Sequence, residues 1–245
     1  LRSIAATLAD MGGGAAGDFF PRMGLSLRLH ACVQRSINNL FSLGHLRDRN
    51  MAKLAGPAHI PPKIGDWIGD ADRYFMEWIR PAPLVTVSDR AAQNLPPGLN
   101  VAGVVHLGVP MDDYRFAEHG ARDYVTWLGR FAPDKGAHTA IDAAKRAGVR
   151  IVVAGIVEQG MQASVEYFKR EIEPRLDGER ARYIGPVNLE QKLALLGGAR
   201  ALLNPITWEE PGATVVVEAM AVGCPVIGFA RGVVPELILD GRTGF

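Results

Sequence analysis

The 245-residue chain has only two cysteines, Cys32 and Cys224, far apart and without a CxxC companion. That excludes a disulfide scaffold and a thiolate zinc cage, and it fits a reducing, cytoplasmic setting. An excess of charge of one sign is also missing, because 27 Lys and Arg stand against 26 Asp and Glu, a formal net charge of +1. No nucleic-acid or anionic-membrane partner is expected from such a balance. No apolar run approaches the roughly 20 residues of a membrane helix, so no integral membrane segment is expected. The six histidines are scattered without metal spacing. There is no internal repeat, low-complexity tract or signal-peptide pattern. The composition itself is an ordinary globular mixture, 48% apolar and 22% charged.

The second half alternates regularly. "DYVTWLGR" (123–130), "VRIVVAGI" (149–156), "RARYIGPV" (180–187), "RALLNPI" (200–206) and "PVIGFA" (225–230) have the continuous apolar character of buried strands. Between them, "AHTAIDAAKRAG" (137–148), "SVEYFKREIEPRL" (164–176), "LEQKLALLGGA" (189–199) and "TVVVEAMAVG" (214–223) have helical spacing or helical stops. Such βα units predict an α/β fold with a parallel sheet covered on both faces. In the first half, "APLVTVSD" (82–89) and "VAGVVHLGV" (101–109) read as strands, with an N-cap at Ser88 or Asp89. The polar stretch "PMDDYRFAEHGARD" (110–123) reads as the linker, dividing residues 1–112 from residues 113–245. The chain opens on Leu1 and closes on "LDGRTGF", which reads as mid-domain; a piece shortened at both ends is expected.

Two motif matches are set aside on context. "GGGAAG" matches G-x-G-x-x-G through Gly12, Gly14 and Gly17, but no strand precedes it and Pro21 interrupts the segment after it. "DAD" at Asp70 and Asp72 matches a metal-binding D-x-D, yet it sits in a helix-like segment rather than at a strand end.

The carboxyl ends of the strands are where a parallel sheet binds ligands. "LGRFAPDKG" (128–136) lies there: Gly129 leaves the backbone open, and Arg130 and Lys135 rise from one short loop. Two cations at such an edge suit a diphosphate, or are ordinary surface charges. On the same edge, "WEEPGATVVVE" carries Glu210 in the loop and Glu218 about one turn into a helix starting near Ala213 or Thr214. Carboxylates amid valines suit a ligand rich in hydroxyls, while Glu209 reads as merely exposed. The free N–H groups of that helix start favour anions or the oxygens of a polar ligand.

These residues, together with "EAMAVGCPVIGFARGVVPELILDGRTGF", resemble the donor domain of the retaining glycosyltransferase family 4, which has the GT-B fold. The family forms are "GR…P.KG", "EPFG…EAMACGTPVIA" and "G..PE.V.DG.TGF", and the resemblance covers about residues 82–245. "GPAHIPPKIGDW" resembles the family's "TTLHTPP" stretch, which puts His59 at the acceptor-side histidine.

The resemblance implies two Rossmann-like domains, the first incomplete and acceptor-side, the second donor-binding and lacking its final helices. It implies that Arg130 and Lys135 hold the donor diphosphate and neutralise the departing nucleotide. Glu210 would hold hydroxyls of the transferred sugar, Glu218 the ribose, and the N–H groups of Gly212, Ala213 and Thr214 the sugar or diphosphate. No metal and no cofactor are implied; the substrate is a nucleotide-diphosphate sugar, transferred with retention to an unidentified acceptor. The family's Glu-Pro-Phe-Gly is Glu210-Pro211-Gly212-Ala213 here, and Leu107 and Pro110 replace the Asn and Asp of its inter-domain link. The altered Glu210-Pro211-Gly212-Ala213 stretch, with the family's opening strand and glycine-rich loop not evident, favours the rival, a non-catalytic nucleotide-sugar-binding module or an inactive remnant. A nicotinamide dehydrogenase and a metal-dependent transferase stand behind it. Base, donor sugar, acceptor and oligomeric state are left open by these motifs.

Overall fold

The structure, a computed structural model, describes residues 83–95, 98–116 and 122–245. Gly12, Gly14, Gly17, His59, Asp70 and Asp72 lie outside the described residues. The described residues divide into two units, one reaching to His106 and one running on from Leu107.

In the first unit, β1 (Leu84–Thr86) pairs in parallel with β2 (Val101–Val104), joined through α1 (Asp89–Gln93). Ser88 caps that helix, its Oγ accepting the Ala91 N–H at 3.0 Å.

The second unit is a five-stranded, all-parallel sheet in the order β5-β4-β3-β6-β7. Its strands are β3 (Tyr124–Arg130), β4 (Arg150–Ile156), β5 (Ala181–Tyr183), β6 (Leu202–Asn204) and β7 (Val226–Gly228). The helices between them are α2 (Ala137–Arg146), α3 (Gln162–Tyr167), α4 (Leu189–Gly198) and α5 (Thr214–Ala221), with α6 (Val234–Leu237) after β7. Alternate residues of β3, β6 and β7 enter opposite cores. Val125, Trp127, Leu203 and Ile227 pack with Ile141, Tyr167 and Phe168 on one face. Leu202 and Val226 pack with Leu196, Val216, Ala219 and Val222 on the other. Two apolar faces explain why these strands are continuously apolar. They also explain the valine-rich α5: Val216 and Ala219, three apart, form the face that lies on the sheet.

The regular elements follow the sequence pattern in order and type, though the strand expected over 101–109 ends at Val104 and that over 200–206 is only Leu202–Asn204. The expected helix over 164–176 is α-helical only to Tyr167, then widens into a π-turn (Phe168–Ile172) and tightens into a 3-10 turn (Glu173–Arg175). Pro174 has no N–H to continue an α-helical ladder, and the irregular turns come directly before and at it. The strand expected over 180–187 stops at Tyr183, ahead of a left-handed Gly185. The stretch read as a linker contributes Tyr114 to the second core, where it is buried beside α5. On the outer side of β7, the Phe245 N–H donates to the Val226 carbonyl and the Gly228 N–H to the Phe245 carbonyl, both at 2.9 Å.

Candidate functional site

Sheet order reverses between β3 and β6, and the crevice outside their carboxyl ends is where such sheets take ligands. The chain leaving β3 turns through a 3-10 turn (Pro133–Lys135) into α2, anchored by the fully buried Phe131. Trp127 fixes this turn from below, its indole N–H donating to the Lys135 carbonyl at 3.0 Å. A Cβ on Gly129 would press on the Trp127 ring at 3.2 Å, so the glycine makes room for the indole that holds Lys135. Gly136 is left-handed (φ 70°), and a side chain there would run into the Pro205 carbonyl. The loops after β3 and β6 therefore lie against each other, and the Thr207 N–H donates to the Asp134 carbonyl at 3.0 Å.

This approach delivers Lys135 to Glu210. Their side chains, 14% and 4% exposed, form an ion pair between Nζ and Oε2. The Lys135 ammonium also lies 5.2 Å from the Trp208 ring centroid, within reach of a cation–π attraction. Glu210 is fixed from the opposite side by the loop after β7, whose Val233 N–H donates to the Glu210 carbonyl at 2.9 Å. Glu209, expected to be merely exposed, joins that loop as well. Its Oε2 accepts the Gly232 N–H at 3.1 Å, and its Oε1 is 3.5 Å from Nη1 of Arg231. Gly232 (φ 54°) has no space for a side chain, because a Cβ would meet the Glu210 backbone.

Pro211, Gly212 and Ala213 are buried, and α5 starts at Thr214 with Ala213 as an N-cap that offers no side-chain bond. The first N–H groups of the helix have no acceptor within it. Glu218, the fifth residue of α5, is buried and engaged twice on one oxygen. Oε1 accepts the Tyr114 hydroxyl at 2.9 Å and the Lys192 ammonium at 2.5 Å. Among the described residues no donor reaches Oε2. Lys192 also lies 5.8 Å from the Tyr114 ring centroid, and its helix α4 is fixed by a capping box between Asn188 and Gln191. Burial and then the Glu218 bond hold the Tyr114 hydroxyl above its usual pKa. For Lys192, burial pulls the ammonium down, but the hydrogen bond and charge of Glu218 outweigh it and raise the pKa overall.

Arg130 is less enclosed. Its Nη1 sits 3.3 Å from Oε2 of Glu158, in the loop after β4, and the two side chains are 48% and 34% exposed. Glu158 is steadied by Ser164, whose Oγ accepts the Glu158 N–H and donates to the Phe131 carbonyl. Each of the two loop cations is thus held by an acid from the loop of a neighbouring strand. Among the described residues, two buried donors at this edge, Asn204 Nδ2 and Trp208 Nε1, have no hydrogen-bond partner. No cluster of His, Cys, Asp and Glu among the described residues could hold a metal ion.

The sequence pattern missed Tyr114, Lys192, Trp208 and Glu158. Lys192 gave a signal only in being a cation on the helix "LEQKLALL"; Tyr114 gave none, since its partner is 104 residues away.

The family model for glycosyl transferases group 1 matches residues 114–245, more than half of the chain. The chain belongs to this family. Lys135, Glu210, Glu218, Lys192 and Tyr114 all fall within the matched segment. A D-inositol 3-phosphate glycosyltransferase of Mycolicibacterium paratuberculosis is 33% identical over 152 residues, covering 58% of this chain and 34% of that protein. Its namesake from Mycolicibacterium smegmatis is 27% identical over 215 residues, covering 80% and 47%. The group 1 chain thus spans between a third and a half of the length of these relatives. Among solved structures it is similar to AviGT4, a glycosyltransferase involved in avilamycin A biosynthesis (31% identity, TM-score 0.52, 62% of this chain and 46% of that one). Anabaena HepE, solved with UDP and glucose, shares the fold at 22% identity (TM-score 0.60, 71% of this chain and 51% of that one). The α/β, GT-B-like class expected from the sequence is the class found. No helix among the described residues is long and apolar enough to cross a membrane.

Proposed function

We propose that the second unit of this group 1 glycosyltransferase binds a nucleotide-diphosphate sugar. The whole enzyme then transfers the sugar to an acceptor with retention at the anomeric carbon, as in family 4, and without a metal. The observation that carries this reading is the buried meeting of Lys135 and Glu210 at the switch point of the sheet. A phosphate-binding cation and a hydroxyl-binding carboxylate stand side by side there, as the two halves of a sugar diphosphate do. The relatives' sugar-transfer names, and the UDP-glucose complex of HepE, support a nucleotide-sugar donor.

In this reading the bond from the anomeric carbon to the diphosphate breaks, and its electron pair leaves on the phosphate oxygen. Lys135, Arg130 and the N–H groups from Gly212 to Thr214 neutralise that charge, which is the stabilisation a metal would otherwise supply. Glu210 takes hydroxyls of the transferred sugar. Glu218, held on Oε1 by Tyr114 and Lys192, presents Oε2 to the ribose. The acceptor attacks an oxocarbenium-like carbon from the face the nucleotide leaves, with His59 touching the sugar or acceptor. The domain roles are then residues 1–112 on the acceptor side and 113–245 on the donor side. We infer a cytoplasmic setting as well; the free thiol of Cys224, pushed up to about 11 by burial, is unreactive and calls for no oxidising compartment.

Calorimetric titration of the chain with UDP, GDP and ADP, with and without EDTA, tests the reading. Saturable, EDTA-indifferent binding of one nucleotide, lost in Lys135→Met, is expected. A folded chain that binds none of them would instead be an inactive remnant, the outcome that the altered Glu210-Pro211-Gly212-Ala213 stretch favours.

A further inference from the structure

The two groups assigned to different halves of the donor are bonded to each other. Resting on the functional reading above, we infer that Glu210 is an internal stand-in for the donor phosphate, and that donor binding is an exchange of partners. The Glu210 carboxylate occupies Lys135. When a nucleotide-diphosphate sugar enters, Lys135 passes to the diphosphate, and Glu210, released from the cation, takes the sugar hydroxyls.

The burial of the pair makes the exchange selective. Lys135 and Glu210 are 14% and 4% exposed, so water cannot replace a lost partner at little cost, as it can for the open Arg130–Glu158 pair. An intact donor supplies both replacements, phosphate oxygens for Lys135 and hydroxyls for Glu210. A nucleoside diphosphate supplies only the first and strips Glu210 of its cation. The site therefore discriminates against its own leaving group, and return of Glu210 to Lys135 after transfer displaces the product. The neighbours hold both residues in place for this. Trp127 fixes the Lys135 carbonyl and Val233 the Glu210 carbonyl, so only the side chains need to turn.

The test is a double-mutant cycle on the whole chain, titrating UDP, GDP and ADP into wild type, Glu210→Gln, Lys135→Met and the double variant. Glu210→Gln is expected to tighten the nucleotide that binds by on the order of tenfold. The double variant is expected to bind as weakly as Lys135→Met alone. If Glu210→Gln tightens binding equally in the Lys135→Met background, the gain is a through-space charge effect and the exchange is wrong. If Glu210→Gln leaves affinity unchanged or weakens it while Lys135→Met still weakens it, the exchange fails and the donor-site reading stands. If Lys135→Met changes nothing, or no nucleotide binds any variant, the donor-site reading itself fails and the exchange with it. Glu210→Asp, which keeps the charge and shortens its reach, covers the case in which Glu210→Gln does not fold. It is expected to tighten the nucleotide by a smaller factor, and an unchanged or weaker affinity there overturns the exchange.

Discussion

A carboxylate in an apolar helix destabilises the fold unless something compensates it, and Glu218 shows how the compensation is built. One of its oxygens takes a hydroxyl and an ammonium, from Tyr114 and Lys192, while no donor among the described residues reaches the other. Glu210, Glu218 and Lys135 were legible in the sequence because a charge among valines, or beside glycine at a strand end, needs a reason. Tyr114 and Lys192 were not, because they reach Glu218 from 104 and 26 residues away and neither stands out locally. Removing the hydroxyl in Tyr114→Phe is expected to cost about 1–2 kcal/mol at neutral pH, read from the urea midpoint. The pH dependence has a definite sign. Tyr114 and Lys192 hold their protons above the ordinary values of 10.0 and 10.5, so the unfolded chain loses them first as pH rises. The stability they contribute is full below those values and drains away through the raised ones. The gap between wild type and Tyr114→Phe should therefore be flat up to about pH 10 and close above it. A gap that widened in alkali would contradict the Tyr114–Glu218 bond.

The elements position the site through their loops. The sequence pattern showed the five strands of the second unit and the four helices between them, though not α6, since a parallel sheet leaves apolar runs that alternation cannot hide. It did not show the contacts between loops, which depend on glycines packed against a neighbouring backbone. Gly232 and Gly148 separate the two reasons for a glycine. Both are left-handed, but a Cβ on Gly232 meets Glu210, whereas one on Gly148 meets nothing within 4 Å. Gly148→Ala should cost about 1 kcal/mol, the dihedral penalty alone. Gly232→Ala should cost about twice that or more and also weaken nucleotide-sugar binding, because Glu210 has to move. Chemical denaturation of the two variants checks the ordering, and equal losses would mean that the loop after β7 does not brace Glu210.

At the scale of the molecule, βα alternation announced a parallel sheet but not its order. Placing β3 centrally, with β4 and β5 to one side and β6 and β7 to the other, brings Lys135 to Glu210 across 75 residues of chain. Only the folded order creates that crevice, which is why its two loops could be suspected separately but not paired from the sequence. A nucleotide held there at a hundred times its Kd should stabilise the protein by about 2.7 kcal/mol, seen as a higher thermal midpoint that Lys135→Met abolishes. The far edge of the same sheet raises a different matter. The backbone of Phe245 lies along β7 and takes up hydrogen-bonding groups of that strand, while the opposite edge strand, β5, is only three residues long. Gly244 and Phe245 thus pair the Val226 carbonyl and the Gly228 N–H along that edge of β7. Were that pairing lost, the Val226 carbonyl and the Gly228 N–H would stand open, the kind of strand edge on which another strand can add.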